Sequence, residues 1–201
     1  MHFKHSMYIA FAVGVLASCS TQLPTVPVAL EPEEGDETEL TAIVRSIQAQ
    51  PLEIRDRARG LTDSEHPHWF RKELRLRTPV QVYQIALDGE TDYRVIARGR
   101  LVDGINSAIF VPEIRVFGPA VSTIDDYELT GRPIPPRFLQ GLKYRTEFTF
   151  VTTEPGIYYV ALFANLADQP IQLRTTNQYG AVMSVSHFAR YPYGEYDIRV
   201  R

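Results

Sequence analysis

The chain has 201 residues, 44% of them apolar, and a formal charge of −3 at pH 7. That length suits one domain with a tail and supplies a sizeable core. The acidic balance, with no glycine-rich phosphate loop and no zinc-ligand spacing, argues against nucleic acid as a partner and gives no sign of a cofactor.

The first predicted element is a leader. Lys4, flanked by His2 and His5, precedes an apolar stretch from Met7 to Ala17, too short to span a bilayer as a helix of roughly 20 residues but suited to the hydrophobic region of a signal peptide. The stretch closes on Leu16-Ala17-Ser18-Cys19, which resembles the lipobox of bacterial lipoproteins. In that motif the cysteine thiol accepts a diacylglyceryl group, and the small residues before it let the peptidase reach the bond preceding the modified residue. Cleavage then frees an amine for a third acyl chain. The resemblance implies a signal peptide over 1–18, lipid attachment at Cys19 and contact with the membrane through that lipid. Each buried acyl CH₂ contributes about 0.8 kcal/mol, so two or three chains hold far more durably than one. Cys19 is the sole cysteine, so no internal disulfide competes for its thiol. Ser20, where an aspartate would retain the protein, implies an outer-membrane location facing the periplasm.

Residues 19–37 contain Pro24, Pro27 and Pro32 and an acidic run, Glu31, Glu33, Glu34, Asp36 and Glu37, which predicts a flexible, solvated lipid tether. From Thr38 to Gln50, Leu40, Ile43, Val44 and Ile47 recur at helical spacing before Pro51, predicting a short amphipathic helix. Arg55 to Glu73 is polar and reads as a loop, so 38–68 are taken as helix and leading loop. The domain proper is expected over 69–201, beginning near Trp69.

After Trp69 the period becomes two. Val80 to Leu87, Tyr93 to Ala97, Ala108 to Phe117, Tyr144 to Val151, Gly156 to Ala164, Ile171 to Thr175, Val182 to Phe188 and Tyr196 to Val200 are candidate strands. Asp88-Gly89, Asp103-Gly104 and Pro155-Gly156 supply turns. Together they predict a mainly β fold: a single β-sandwich, jelly-roll-like, with the short helix ahead of it. Pro112 marks an edge strand or bulge. Ser122 to Leu142, with Pro133-Ile134-Pro135-Pro136, reads as the largest surface loop, serving either as a meeting place for a partner or as a covering flap.

Catalytic chemistry finds little to converge. His66 and His68 flank a proline, but two ligands fall short of a tetrahedral metal site, so no metal is expected. Ser184 and Ser186 near His187 lack a nucleophile elbow and read as strand residues, and no enzyme class is indicated. Of the 21 basic residues only Lys4, Lys72 and Lys143 are lysines, a bias toward planar, hydrogen-bonded ion pairs. Tyr191 and Tyr193, with Tyr196 beyond them, could stack on sugar rings or on a partner, or could simply cover an end of the sandwich.

Several segments together are similar to the maltose operon periplasmic protein family: Val82-Tyr83-Gln84-Ile85, Ile109 to Val116, Tyr158 to Phe163, Ala189-Arg190-Tyr191, Gly194 and Ile198-Arg199-Val200. The resemblance implies an exported, non-catalytic accessory of maltose or maltodextrin uptake and supplies no binding residues. The lipobox departs from the secreted members, as does the expectation that no further region follows Arg201. Two functions therefore stand: an uptake accessory touching maltodextrin at Tyr191 and Tyr193, or a structural or assembly lipoprotein binding another envelope protein.

Overall fold

Alternation of apolar and polar side chains with period two organises most of the chain after Gln50. The computed structural model describes residues 34–71, 74–102, 107–134, 141–167, 169–176 and 182–201. Cys19, the leader, the tether up to Glu33, the Asp103-Gly104 turn and Pro135-Pro136 lie outside the described residues.

The strands are β1 (Gln50–Pro51), β2 (Arg57–Thr62), β3 (His68–Arg71), β4 (Leu76–Pro79), β5 (Gln81–Leu87), β6 (Asp92–Arg100), β7 (Ala108–Phe110), β8 (Pro112–Phe117), β9 (Tyr127–Ile134), β10 (Lys143–Val151), β11 (Gly156–Ala164), β12 (Ile171–Thr176), β13 (Val182–Tyr191) and β14 (Gly194–Val200), preceded by helix α1 (Glu34–Ser46). Sheet I has the order β1-β5-β11-β8 and sheet II the order β2-β14-β6-β10-β9. Two smaller sheets, β12-β13-β7 and β3-β4, flank them.

The two main sheets pack face to face, because every second residue of each points into one continuous core. Tyr83, Ile85 and Leu87 of β5, Ile114 and Val116 of β8, and Tyr158, Val160 and Leu162 of β11 meet Val95 and Ala97 of β6, Phe148 and Phe150 of β10, and Tyr196, Ile198 and Val200 of β14. The fold is thus a mainly β sandwich with one short N-terminal helix, as the period-two pattern predicts. Within the core, the hydroxyls of Tyr83 and Tyr196 lie 2.7 Å apart and tie sheet I to sheet II. Space for that pair comes from Gly60 on β2, where a Cβ would lie 2.3 Å from the Tyr196 hydroxyl.

Helix α1 lies on the outer face of sheet I. Leu40 and Val44, with Ile43 and Ile47, pack against Val80, Val82, Phe117, Ala161 and Phe163, and full burial of each large apolar side chain contributes roughly 1.5–3 kcal/mol. Trp69 closes this layer, its ring edge-on to Phe163 at 4.9 Å. The helix begins earlier than the sequence pattern indicates, in the acidic stretch assigned to the tether. No helix among the described residues is long and apolar enough to cross a membrane.

Two segments expected as loops contain strands. Within Arg55 to Glu73, β2 pairs with β14 from Arg57↔Arg199 to Thr62↔Gly194; its inward residues, Ala58, Gly60 and Thr62, are small and leave no apolar signature. The sheet therefore recruits residues well before Trp69. Within Ser122 to Leu142, β9 pairs with β10 along its whole length as the outermost strand of sheet II, so its faces stay largely exposed and Pro133 is tolerated there. Pro112 does begin an edge strand, β8, as its missing donor requires. The apolar run around it is divided at Val111, sending β7 to the small sheet and β8 to sheet I.

Burial raises the pKa of both core tyrosines above the ordinary value of 10.0, most strongly for Tyr196. The native state thus holds these protons more tightly than the unfolded chain, so this contribution is complete below the unfolded phenol pKa and is lost as pH rises above about 10. Tyr196→Phe is expected to cost about 1–2 kcal/mol by leaving a buried hydroxyl unpaired, and the Tyr83→Phe, Tyr196→Phe pair less than the sum of the single changes. Urea unfolding at neutral pH measures both. Repeated above pH 10, it should show wild type losing more stability than the double variant.

Candidate functional site

The residues singled out in the sequence do not form one site. Tyr191 ends β13 and Tyr193 sits in the short connection to β14; both are half-buried, and their rings meet edge-to-face, 6.0 Å apart at 72°. They do not form a common flat platform, and Tyr196, grouped with them by sequence, lies in the core. His66 Nδ1 is 2.7 Å from Asp63 Oδ1 across a tight turn, and this local pairing, led by a hydrogen bond from the Glu65 amide, lowers the Asp63 pKa. His68 is on β3. No group of three or more metal-ligating side chains occurs among the described residues. Ser184, Ser186 and His187 are exposed on β13, where strand alternation directs His187 to the face opposite the two serines.

The most distinctive surface is the outer face of sheet II, which the pairing registers assemble row by row. One row reads Arg59, Asp197, Arg98, Arg145, Arg132 across β2, β14, β6, β10 and β9. The next reads Arg57, Arg199, Ile96, Glu147, Thr130. Further rows add Glu195 on β14, Arg100 opposite Lys143, and Arg94 opposite Thr149 and Glu128. Nine basic side chains thus share this face with five acidic ones, Asp92 at the start of β6 included, in a chain whose total charge is −3. Arg98, Arg145 and Arg132 stand directly opposite one another, an arrangement that is destabilising in isolation.

Three carboxylates moderate that repulsion. Asp197, 1% exposed, lies 2.6 Å from Arg57 Nη2 and 3.9 Å from Arg98 Nη1. Glu147 pairs with Arg94 at 2.9 Å and with Arg145, and Glu195 with Arg100 at 3.0 Å. Arg59, Arg132, Lys143 and Arg199 have no ion pair among the described residues. The aliphatic stems lie along the sheet: Ile96 points outward yet is 1% exposed, and long charged side chains cover apolar surface in this way. The Nε atoms of Arg98, Arg100, Arg145 and Arg199 are buried without a hydrogen-bond partner. Burial first, and then the charges of Arg98, Arg201 and Arg145, lower the Arg199 pKa, although a guanidinium so placed still keeps its proton. The result is a positively charged face with unused donors.

A cleft lies at the C-terminal end of α1 on the outer face of sheet I. Arg45, Gln48, Gln84 and Tyr159 supply polar groups to this cleft of about 370 Å³, with Val44, Ile47, Ala49 and Val121 as its apolar wall. Val121, at φ 59°, follows Ala120, at φ 57°. A β-branched residue in the left-handed region is strained, at a cost of order 1–3 kcal/mol, and such strain concentrates at binding sites.

No protein-family model matches the chain, and no curated protein matches it. Among solved structures it is similar to the pre-peptidase C-terminal domain of a collagenase from Bacillus anthracis, with 12% identity over 77% of this chain and 95% of that one, at a TM-score of 0.36. A likeness of that size carries nothing about the site or its ligand.

Asp197→Asn removes the central carboxylate of the arginine face. The change is expected to destabilise the domain by about 2 kcal/mol, discounted from the buried-pair range because Arg57 is partly solvated. Added salt should recover part of the loss, since the remaining repulsion between arginines is screened. Urea midpoints of wild type and variant at low and high salt provide the measurement.

Proposed function

We propose that this protein is a non-catalytic, lipid-anchored component of the bacterial cell envelope that binds an acidic partner protein on the outer face of sheet II. The observation that carries the reading is the row Arg98, Arg145, Arg132, in which like charges are held side by side across three strands. Such a row is unfavourable for the isolated domain and becomes favourable when anionic groups settle on it. The lipobox ending at Cys19 supports the anchor, and Ser20 supports the outer membrane, facing the periplasm, as its address. This is the structural or assembly role among the functions expected from sequence.

The maltodextrin-uptake reading keeps one specific support. The cleft beside α1 places the Tyr159 ring with the side-chain amides of Gln48 and Gln84, a mixture of flat apolar surface and hydrogen-bonding groups that suits a small polar ligand such as a sugar.

Two experiments test these readings. Cys19→Ser should abolish metabolic labelling by a fatty acid and release the protein from the membrane; unchanged labelling would remove the anchor from the proposal. Calorimetric titration of the full chain with polyglutamate should give binding that weakens steeply with salt, whereas titration with maltodextrin should give heat only if the uptake reading holds. Any maltodextrin heat is then assigned by comparing Tyr159→Ala with the Tyr191→Ala, Tyr193→Ala double variant.

A further inference from the structure

On the reading that sheet II binds an acidic partner, its geometry also indicates the form of that partner. Arg98 and Arg100 lie two residues apart on one face of β6, and directly opposite them on β10 stand Arg145 and Lys143. These four cations make a rectangle about 5 Å across the strands and about 7 Å along them. Arg132 extends the short side beyond Arg145. The long side matches the spacing of alternate residues in an extended peptide, whose side chains at i and i+2 point the same way.

We propose that this rectangle receives an extended acidic segment of a partner protein, lying parallel to β6 and β10, with carboxylates at alternate residues seated on the paired cations. Guanidinium groups suit this task because each has five donors in a planar fork and can accept a second carboxylate while holding its first. Arg98, Arg100 and Arg145 each already hold one carboxylate, Asp197, Glu195 and Glu147 respectively. Those flanking acids border the rectangle and repel an incoming anion that is out of register, which favours a patterned segment over a uniform polyanion.

Carboxylates fit this face better than lipid headgroups do. Helix α1 covers the outer face of sheet I and leaves the arginine face of sheet II uncovered. Its composition agrees, since Lys143 is the single lysine among its nine cations and arginine is the residue that reads carboxylate geometry.

The test measures fluorescence anisotropy of labelled peptides titrated with the detergent-solubilised full-length protein. One peptide alternates glutamate with threonine; a second has the same composition with its glutamates in one block; inorganic phosphate and phosphatidylglycerol vesicles serve as further probes. The alternating peptide is expected to bind several-fold more tightly than the block isomer. Arg132→Gln with Lys143→Gln, which breaks no ion pair among the described residues, should weaken it about fivefold or more. Arg98→Gln with Arg145→Gln should weaken it further, with circular dichroism confirming the fold. Equal binding of the two peptides, or binding that survives both double variants, overturns the segment assignment. Preference for vesicles or phosphate overturns it as well while keeping an anion-binding face. Failure to bind any anionic probe, polyglutamate included, overturns the proposed function along with it.

Discussion

The register of β6 between β14 and β10 is the constraint on which both the core and the charged face depend. In this register Val95, Ala97 and Gly99 point inward while Arg94, Arg98 and Arg100 point outward. A slip of one residue would exchange the two sets, placing three guanidinium groups in the apolar core and its apolar residues in water. Gly99 pins the alignment further. A Cβ there would lie 1.9 Å from the Phe110 carbonyl oxygen, so the close approach of the β7 backbone is possible only with glycine at that inward position.

Given that register, the opposition of Arg98, Arg145 and Arg132 is unavoidable. Its electrostatic cost is offset locally by Asp197 and Glu147, and by the burial of arginine stems over Ile96. On sheet I the helix supplies a cover of Leu40 and Val44, and among the described residues the outward side chains of β5 and β11 beneath it are uncharged. The sandwich therefore has two unlike outer faces: one is sealed by apolar contact, and the other is held by ion pairs that run from the buried Asp197 to the solvent-exposed Arg100–Glu195 pair. Exposed pairs such as Arg100–Glu195 are individually weak and readily exchanged for an external anion.

Much of this architecture was legible in the sequence wherever inward residues are large. Strands β5 and β10 alternate tyrosine, phenylalanine, valine or isoleucine with polar residues, β11 is a continuous apolar run covered on both faces, and their bounds follow closely from those patterns, whereas β6 runs on to Arg100, beyond its last apolar residue. Strand β2 was hidden because its inward side is Ala58, Gly60 and Thr62, all small, with Gly60 required under the Tyr196 ring. Strand β9 was hidden because an edge strand exposes both faces and tolerates Gly131 and Pro133. Missing those two strands concealed the site as well. The excess of arginine over lysine is plain in the composition, but its convergence appears only when β2, β14, β6, β10 and β9 are laid in register. The paired tyrosines Tyr191 and Tyr193 gave the opposite case: a visible local cluster whose rings turn toward each other.

The choice of arginine follows from the same geometry. On a sheet, side chains of neighbouring strands stand about 5 Å apart, too close for ammonium groups to share a surface without each keeping its own tightly held water. A guanidinium is flat, weakly hydrated and able to lie along the sheet with its stem on apolar atoms, so several can be packed where lysines would repel and extend away. Lying flat buries Nε, which explains why Arg98, Arg100, Arg145 and Arg199 each leave that atom without a partner while their terminal nitrogens remain the groups available to carboxylates. Close packing thus leaves the outer donors for carboxylates at the cost of the inner one. The strands beneath set the intervals at which these side chains arise, about 5 Å across the sheet and about 7 Å along it, so on the proposed reading the spacing of an incoming anion matters as well as its charge.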